Sequence, residues 1–306
     1  MMANILVVGS LNMDLVIESP SAPVMGQTVL GSGFMTSPGG KGANQAVAAA
    51  RLGGQVNMVG CIGTDIFGKD LLNNLQQNKV GTNAVLQTPN QPTGVAVIIV
   101  NQGDNFIVVN SGANFEIQPQ TIDSLEPLIA ASPIILLQFE IPLDCVKRVM
   151  QIAQKYKKRV ILNPAPAQPI DDEMWSMMDI LIPNELECEQ ISGLPVKDVP
   201  QAITAANVLL TKGCQQVFIT LGDRGVVYNN GSQIHHQPAF NVQAVDTTAA
   251  GDSFCAAIAV ALSEKKSIHE MALFASTVGA VTVTRRGAQT SLPNRQEIDQ
   301  FLQKIH

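Results

Sequence analysis

Ile5-Leu6-Val7-Val8-Gly9-Ser10-Leu11-Asn12-Met13-Asp14 is a run of four apolar β-formers stopped by a glycine and followed by a mostly polar segment. So short and unbroken an apolar run reads as a strand buried on both faces. Similar runs recur at 56–59, 134–137, 160–162, 180–182 and 217–219, and the stretches 44–52, 143–156 and 202–210 between them are helical in character. Strands alternating with helices predict right-handed βαβ crossovers and an α/β fold with a largely parallel sheet. A ligand site is then expected beyond the carboxyl ends of the strands. At the first such end, Gly9 stands without the other glycines of a dinucleotide-binding turn, which disfavours a nicotinamide oxidoreductase.

Two segments interrupt the alternation. Residues 14–36 carry Gly26, Gly31 and Gly33 between short extended pieces, and 93–109 read as a hairpin around the turn Asn101-Gln102-Gly103-Asp104-Asn105. Together they predict a small separate β-sheet; the alternative is that both are edge strands of the main sheet. No repeat, low-complexity tract or linker divides the 306 residues, so one domain with a β excursion is expected.

Composition narrows the partners. With 46% hydrophobic and 14% charged residues the chain is not a disordered one, and its net charge of -6 without a basic block argues against nucleic acid and anionic membrane. The longest apolar run, 254–262, is far too short to span a bilayer. The N-terminus lacks the basic and apolar regions of a signal peptide. Cysteines 61, 145, 188, 214 and 255 form no Cys-x-x-Cys pair. A cytoplasmic protein is expected. Histidines 235, 236, 269 and 306 have neither metal nor triad spacing, and His235-His236 reads as a solvated pair in a surface hairpin.

Four groups of residues carry chemistry. Asp246-Thr247-Thr248-Ala249-Ala250-Gly251-Asp252-Ser253-Phe254 runs into an apolar helix: small residues admit a ligand to the backbone, successive N–H groups at the helix start form an anion nest, and Asp252 could take a proton from an attacking hydroxyl. Pro38-Gly39-Gly40-Lys41-Gly42-Ala43-Asn44-Gln45 also leads into a helix, but Gly42 follows the lysine and a P-loop is excluded on spacing. Asn12 and Asp14 alternate along an extended segment and would point the same way, toward paired hydroxyls. Gln138-Phe139-Glu140, Asn184-Glu185-Leu186-Glu187 and Thr220-Leu221-Gly222-Asp223-Arg224-Gly225 follow strand runs. Asn184 with Glu187 matches a capping box, and equally a carboxylate placed for hydrated Mg²⁺.

In this order, these motifs resemble those of the PfkB carbohydrate kinase family, in particular its ribokinase branch, over nearly the whole chain. Gly39 to Asn44 is similar to the family's N-terminal signature and Asp246 to Asp252 to its C-terminal one; Asn163-Pro164-Ala165-Pro166, Pro183-Asn184-Glu185 and Gly287-Ala288-Gln289 also resemble that branch. The resemblance implies a three-layer α/β fold whose β excursion is a lid, ATP as phosphoryl donor, Mg²⁺, and K⁺. It implies phosphorylation of the 5-hydroxyl of D-ribose, with Asp252 as base and the amides of Ala249, Ala250 and Gly251 as the anion hole. Asn12, Asp14, Gly40, Lys41, Asn44 and Glu140 would hold the sugar, and Asn184, Thr220, Gly222, Gly225, Gly251 and Ser276 the nucleotide. Glu187 would position Mg²⁺; Asp246, Thr248, Thr282, Arg285, Gly287 and Ser291 would surround K⁺. Paired lids imply a homodimer. Met13 stands where several members have a smaller residue, which raises 2-deoxyribose as an alternative sugar, and a silent sugar-binding regulator is the alternative outside catalysis.

Overall fold

The computed structural model of the chain describes residues 4–101 and 104–305. Its strands are β1 (Asn4–Val8), β2 (Asn12–Glu18), β3 (Ser32–Gly39), β4 (Gln55–Gly63), β5 (Gly81–Thr88), β6 (Gly94–Asn101), β7 (Asp104–Asn110), β8 (Ile134–Leu137), β9 (Arg159–Leu162), β10 (Ile180–Leu181), β11 (Gln216–Thr220), β12 (Val226–Asn229) and β13 (Ile234–Gln237). The helices are α1 (Lys41–Arg51), α2 (Ile66–Gln77), α3 (Pro119–Ser124), α4 (Glu126–Ala131), α5 (Leu143–Lys155), α6 (Asp172–Trp175), α7 (Glu185–Ser192), α8 (Val199–Thr211), α9 (Ala250–Ser263), α10 (Ile268–Thr282), α11 (Ala288–Ser291) and α12 (Arg295–Ile305).

Nine strands form the main sheet in the order β13-β12-β11-β10-β9-β8-β1-β4-β5, parallel from β5 to β11 and antiparallel at β12 and β13. Every apolar run predicted from sequence is one of its strands. β1 shows why such runs are continuous: Ile5 and Val7 enter one core cluster, with α1, α9 and α10, while Leu6 and Val8 enter the other, with α5 and α8. Helices on both faces leave little of the central strands for water. Among the described residues no helix is long and apolar enough to cross a membrane.

The two interrupting segments form a second, four-stranded sheet, β3-β2-β6-β7, separate from the first, so the edge-strand alternative falls. It starts earlier than expected, with β2 at Asn12 and β3 running to Gly39. Gln102 and Gly103 of the predicted turn lie outside the described residues. The chain passes from the carboxyl end of β1 through Gly9-Ser10-Leu11 directly into β2, so the two sheets meet where the parallel strands end. The His235-His236 expectation holds for the β12–β13 hairpin but not for solvation of both rings: His235 stacks on Tyr228, with ring centroids 5.6 Å apart, and meets the His269 ring edge-on at 4.6 Å.

Candidate active site

Asp252 lies in the first turn of α9, at the junction of the two sheets, and is only 7% exposed. Ala249 precedes the helix with φ 60°, a left-handed conformation that costs a non-glycine residue about 1–2 kcal/mol. Strain of this kind gathers at functional sites, and here it curls the chain so that main-chain N–H groups converge at the helix start. The Ala250 amide donates to Thr247 O at 3.2 Å, whereas the amides of Ala249, Gly251 and Asp252 meet no acceptor among the described residues. A Cβ on Gly251 would touch nothing within 4 Å, so packing does not demand glycine there; the space is left open at the mouth of the nest.

A cavity of about 200 Å³ extends from this helix start and is lined by Lys41, Asn184, Glu187, Thr220, Gly251 and Asp252, together with Asn163, Ala165, Ile182, Thr247, Ala249 and Cys255. Gly222, Gly225 and Ser276 are outside that lining. Gly222, at φ 58° with open space around it, leaves room beside the backbone, but Gly225 is glycine for a packing reason, because a Cβ there would lie 2.0 Å from Gln237 O.

Toward the small sheet, Asn44 Nδ2 donates to Asp252 Oδ2 at 2.9 Å, and Asn44 Oδ1 is buried without a partner among the described residues. An unpaired buried acceptor costs about 1–3 kcal/mol, so it marks a place for a ligand donor. Asn12 faces Gly39 and Gly94 across the ladders; a Cβ on Gly94 would lie 2.2 Å from Asn12 Oδ1 and one on Gly39 2.3 Å from the Asp14 carboxylate. Those two glycines make the space that both polar side chains occupy. Burial, then the charges of Glu140 and Asp252, push Asp14 up to about 7. Burial alone would lower Lys41, but Asp252, Glu140 and Glu187 raise it above its ordinary value. Gly40 cannot cap α1 with a side chain; Glu140 does so from across the sheet, accepting the Lys41 amide at 3.0 Å and the Ser10 hydroxyl at 2.5 Å on the same oxygen.

At the start of α7, Asn184 and Glu187 form a complete capping box: Asn184 Oδ1 accepts the Glu187 amide at 2.8 Å and Glu187 Oε2 accepts the Asn184 amide at 2.9 Å. The capping role does not take Glu187 away from the cavity, which it still lines, and burial raises its pKa. Of the residues expected around K⁺, Asp246 accepts from the Thr248 amide and hydroxyl on one oxygen and from the Gly287 amide on the other, at 2.6–2.9 Å. Burial disfavours its charge, but these donors hold it below the ordinary carboxylate range. The Arg285 amide donates to Thr282 O at 3.2 Å. Side chains in this set turn elsewhere: Arg285 pairs with Glu297, the Thr282 hydroxyl donates to Ser253 and Val278, and the Ser291 hydroxyl to Ala288 O. The hydroxyl hydrogens of Thr282 and Ser291 and the Arg285 guanidinium are thus engaged within the protein.

A buried carboxylate beside main-chain amides at a helix start, on the wall of a polar cavity, is the arrangement that comparison with known proteins explains. The profile of the pfkB family carbohydrate kinases matches residues 2–295. The chain belongs to this family. A ribokinase from Haemophilus influenzae is 43% identical over 298 residues, covering 97% of both chains. A deoxyribokinase from Salmonella typhimurium is 35% identical over 301 residues, 98% of each. The structure of Arabidopsis thaliana ribokinase complexed with ribose and ATP superposes with a TM-score of 0.92 at 34% identity, over 99% of both chains.

In this PfkB kinase, sequence reasoning missed a layer of amides beneath the site. Gln45 is fully buried and donates to Asp252 Oδ1 at 3.0 Å and to Asn163 Oδ1 at 3.2 Å; Gln138 donates to Gln45 Oε1 at 2.5 Å. Gln45 and Gln138 stood inside quoted motifs, but nothing in their spacing separates them from surface glutamines. Gly9 is explained by the same layer, because a Cβ there would lie 2.0 Å from Gln138 Oε1.

Met13 is 3% exposed and belongs to the core cluster of Leu11, Met58 and Leu71. On β2 it alternates with Asn12 and Asp14 and points away from them, so it cannot fill the space of a missing sugar hydroxyl. Met13→Ala is expected to cost about 2–5 kcal/mol of stability, read as a fall in Tm, while the ratio of kcat/KM for ribose to that for 2-deoxyribose stays put. A changed ratio would return Met13 to the site.

Proposed function

We propose that this chain transfers the γ-phosphoryl group of ATP to the 5-hydroxyl of D-ribose, giving ribose 5-phosphate and ADP. The observation that carries the reading is Asp252, buried at the start of α9 beside free main-chain amides and within bonding distance of Asn44. Asn12, Asp14, Asn44 and the main chain around Gly40 and Lys41 hold the sugar, while Glu140 orders the start of α1. As the 5-oxygen attacks, its proton passes to Asp252, and the amides of Ala249, Gly251 and Asp252 with the Lys41 ammonium face the negative charge of the transferring group. ATP lies along Thr220 and the open edge of Gly222. A catalytic base has no use in a silent sugar binder, which places that alternative second.

The residues present fit both cations. Glu187 is a buried carboxylate whose charge burial opposes, as suits a partner of hydrated Mg²⁺. An ionised Asp246 ties the 246–248 turn to Gly287, beside main-chain carbonyls that suit K⁺. When bound, Mg²⁺ neutralises phosphate charge, and K⁺ would steady the chain leading to the nest. ADP release from Mg-ATP, measured with ribose, 2-deoxyribose, fructose, tagatose and adenosine, each with K⁺ or with a large organic cation only, tests the proposal. Fastest turnover on ribose with K⁺ is expected; a better 2-deoxyribose substrate would replace the sugar, and no turnover on any would favour the binder.

Asp14 gives this site a pH dependence. Its carboxyl, raised to about 7 by burial and by the charges of Glu140 and Asp252, must ionise to accept two hydroxyls. A raised acid pKa means that the fold opposes ionisation, so sugar binding improves as pH rises through that value. Between pH 6 and 8, kcat/KM for ribose is expected to rise roughly tenfold, and Asp14→Asn to flatten the profile. A wild-type profile that is flat from 6 to 8 would remove Asp14 from sugar binding.

The small sheet serves as the lid and as a dimer face. Phe34, Met35, Phe106, Ile107 and Val108, on the two edge strands of this sheet, are all more than half exposed, apolar side chains that pairing of two lids would cover. Sedimentation is expected to show a dimer that Val108→Lys dissociates; a wild-type monomer at micromolar concentration would overturn this.

A further inference from the structure

Resting on the assignment of Asp252 as base, we propose that Gln45 is a positioning residue that fixes which Asp252 oxygen receives the substrate proton. The network is anchored at a main-chain carbonyl. Ile182 O accepts from Asn163 Nδ2 at 3.0 Å, so Asn163 must present its Oδ1 in the other direction. There it accepts from Gln45 Nε2 at 3.2 Å, which obliges Gln45 to turn its NH₂ toward Asn163 and its Oε1 toward Gln138 Nε2, 2.5 Å away. The second hydrogen of that NH₂ is then directed to Asp252 Oδ1 at 3.0 Å. Each amide has one orientation open to it because an immovable carbonyl sets the first.

The two oxygens of Asp252 thereby differ. Oδ1 is tied to a fully buried donor below the site, whereas Oδ2 is held by Asn44, whose own Oδ1 has no partner among the described residues. A sugar hydroxyl can engage Asn44 and Oδ2 together; it cannot displace Gln45. The 5-hydroxyl proton therefore goes to Oδ2, and the O–H bond that breaks on the sugar is replaced by one on that oxygen. Asn163 extends the same network to Glu187 Oε2 at 3.5 Å, so one set of amides orients the base and the carboxylate facing the phosphates.

Gln45→Met keeps the volume and removes the donor. It is expected to lower kcat by about 10- to 100-fold with the KM values for ribose and ATP within threefold of wild type, because the oriented base acts in the transition state and not in binding. Gln45→Glu sets a carboxyl against Asp252. Protonated, that carboxyl can still donate; ionised, it repels. Its activity relative to wild type is thus expected to rise as pH falls from 8 to 5.5. Lys41, Asp14, Glu187 and Cys255 also face Asp252, and Glu140 faces Lys41 and Asp14, but all are present in both proteins, so the ratio isolates the substitution. Gln138→Met, one bond further out, should show the same kcat-selective loss on a smaller scale should Gln45→Met not fold. Wild-type kcat in folded Gln45→Met, or equal losses in kcat/KM through KM alone, would overturn the inference. An active Asp252→Asn would instead show that the assignment of the base had failed.

Discussion

Asp252→Asn is expected to lose about 10² to 10⁴ in kcat, the range a positioned general base contributes, while Mg-ATP still binds with near wild-type affinity. The substitution removes the group that accepts the 5-hydroxyl proton and leaves the nest amides of Ala249 and Gly251 in place. It also places an amide where Asn44 and Gln45 both donate, so one of those donors loses its acceptor at a cost of about 1–3 kcal/mol. A modest fall in Tm therefore accompanies the loss and has to be measured, so that unfolding is not mistaken for lost chemistry. Residual turnover above about a tenth of wild type, in protein shown to be folded, would mean that water or another group takes the proton.

Much of this was legible in the chain because the two strongest sequence signals are physical ones. The parallel strands are buried on both faces, so β1, β4, β8, β9, β10 and β11 appear as bare apolar runs. β5 was not legible: Gly81-Thr82-Asn83-Ala84-Val85-Leu86-Gln87-Thr88 lies at the sheet edge, partly open to solvent, and its polar residues conceal the strand. The 14–36 and 93–109 segments were recognised by turn chemistry; Asn12 read as extended but not as part of the small sheet, since its pairing with Gly39 and Gly94 leaves no local pattern. In the site, residues at element starts were visible because small residues and lone charges mark them. Gln45, Gln138 and Asn163 were not, because what makes them matter is a hydrogen-bond network over separations of 93 to 207 residues, which no local pattern encodes. Met13 shows the reverse error: adjacency in sequence to Asn12 and Asp14 suggested a shared site, and the two-residue period of a strand sends it to the core.

Gly40→Ala carries the second large expected effect, and it acts through the backbone alone. Gly40 has φ 87° and ψ 131°, a conformation closed to residues with a Cβ, and an added Cβ would lie 2.7 Å from Asn12 N and 3.1 Å from Leu11 C. Relief requires the start of α1 to separate from the start of β2. Lys41 and Asn44 lie on one side of that contact and Asn12 and Asp14 on the other, so separation opens the sugar recess itself. Strain of about 1–3 kcal/mol and overpacking of a similar size should lower Tm, and a displacement near 1 Å should lower kcat/KM for the sugar by about 10²-fold or more. Gly26→Ala is the control: Gly26 has φ 80° but an added methyl there would meet nothing within 4 Å, so it bears the conformational penalty without touching the site. If the two variants lose sugar kcat/KM equally, the φ penalty explains both and the α1–β2 contact is not what shapes the recess. If Gly40→Ala alone loses it, the close approach of two main chains, and not the lysine beside them, is the reason that glycines crowd this helix start.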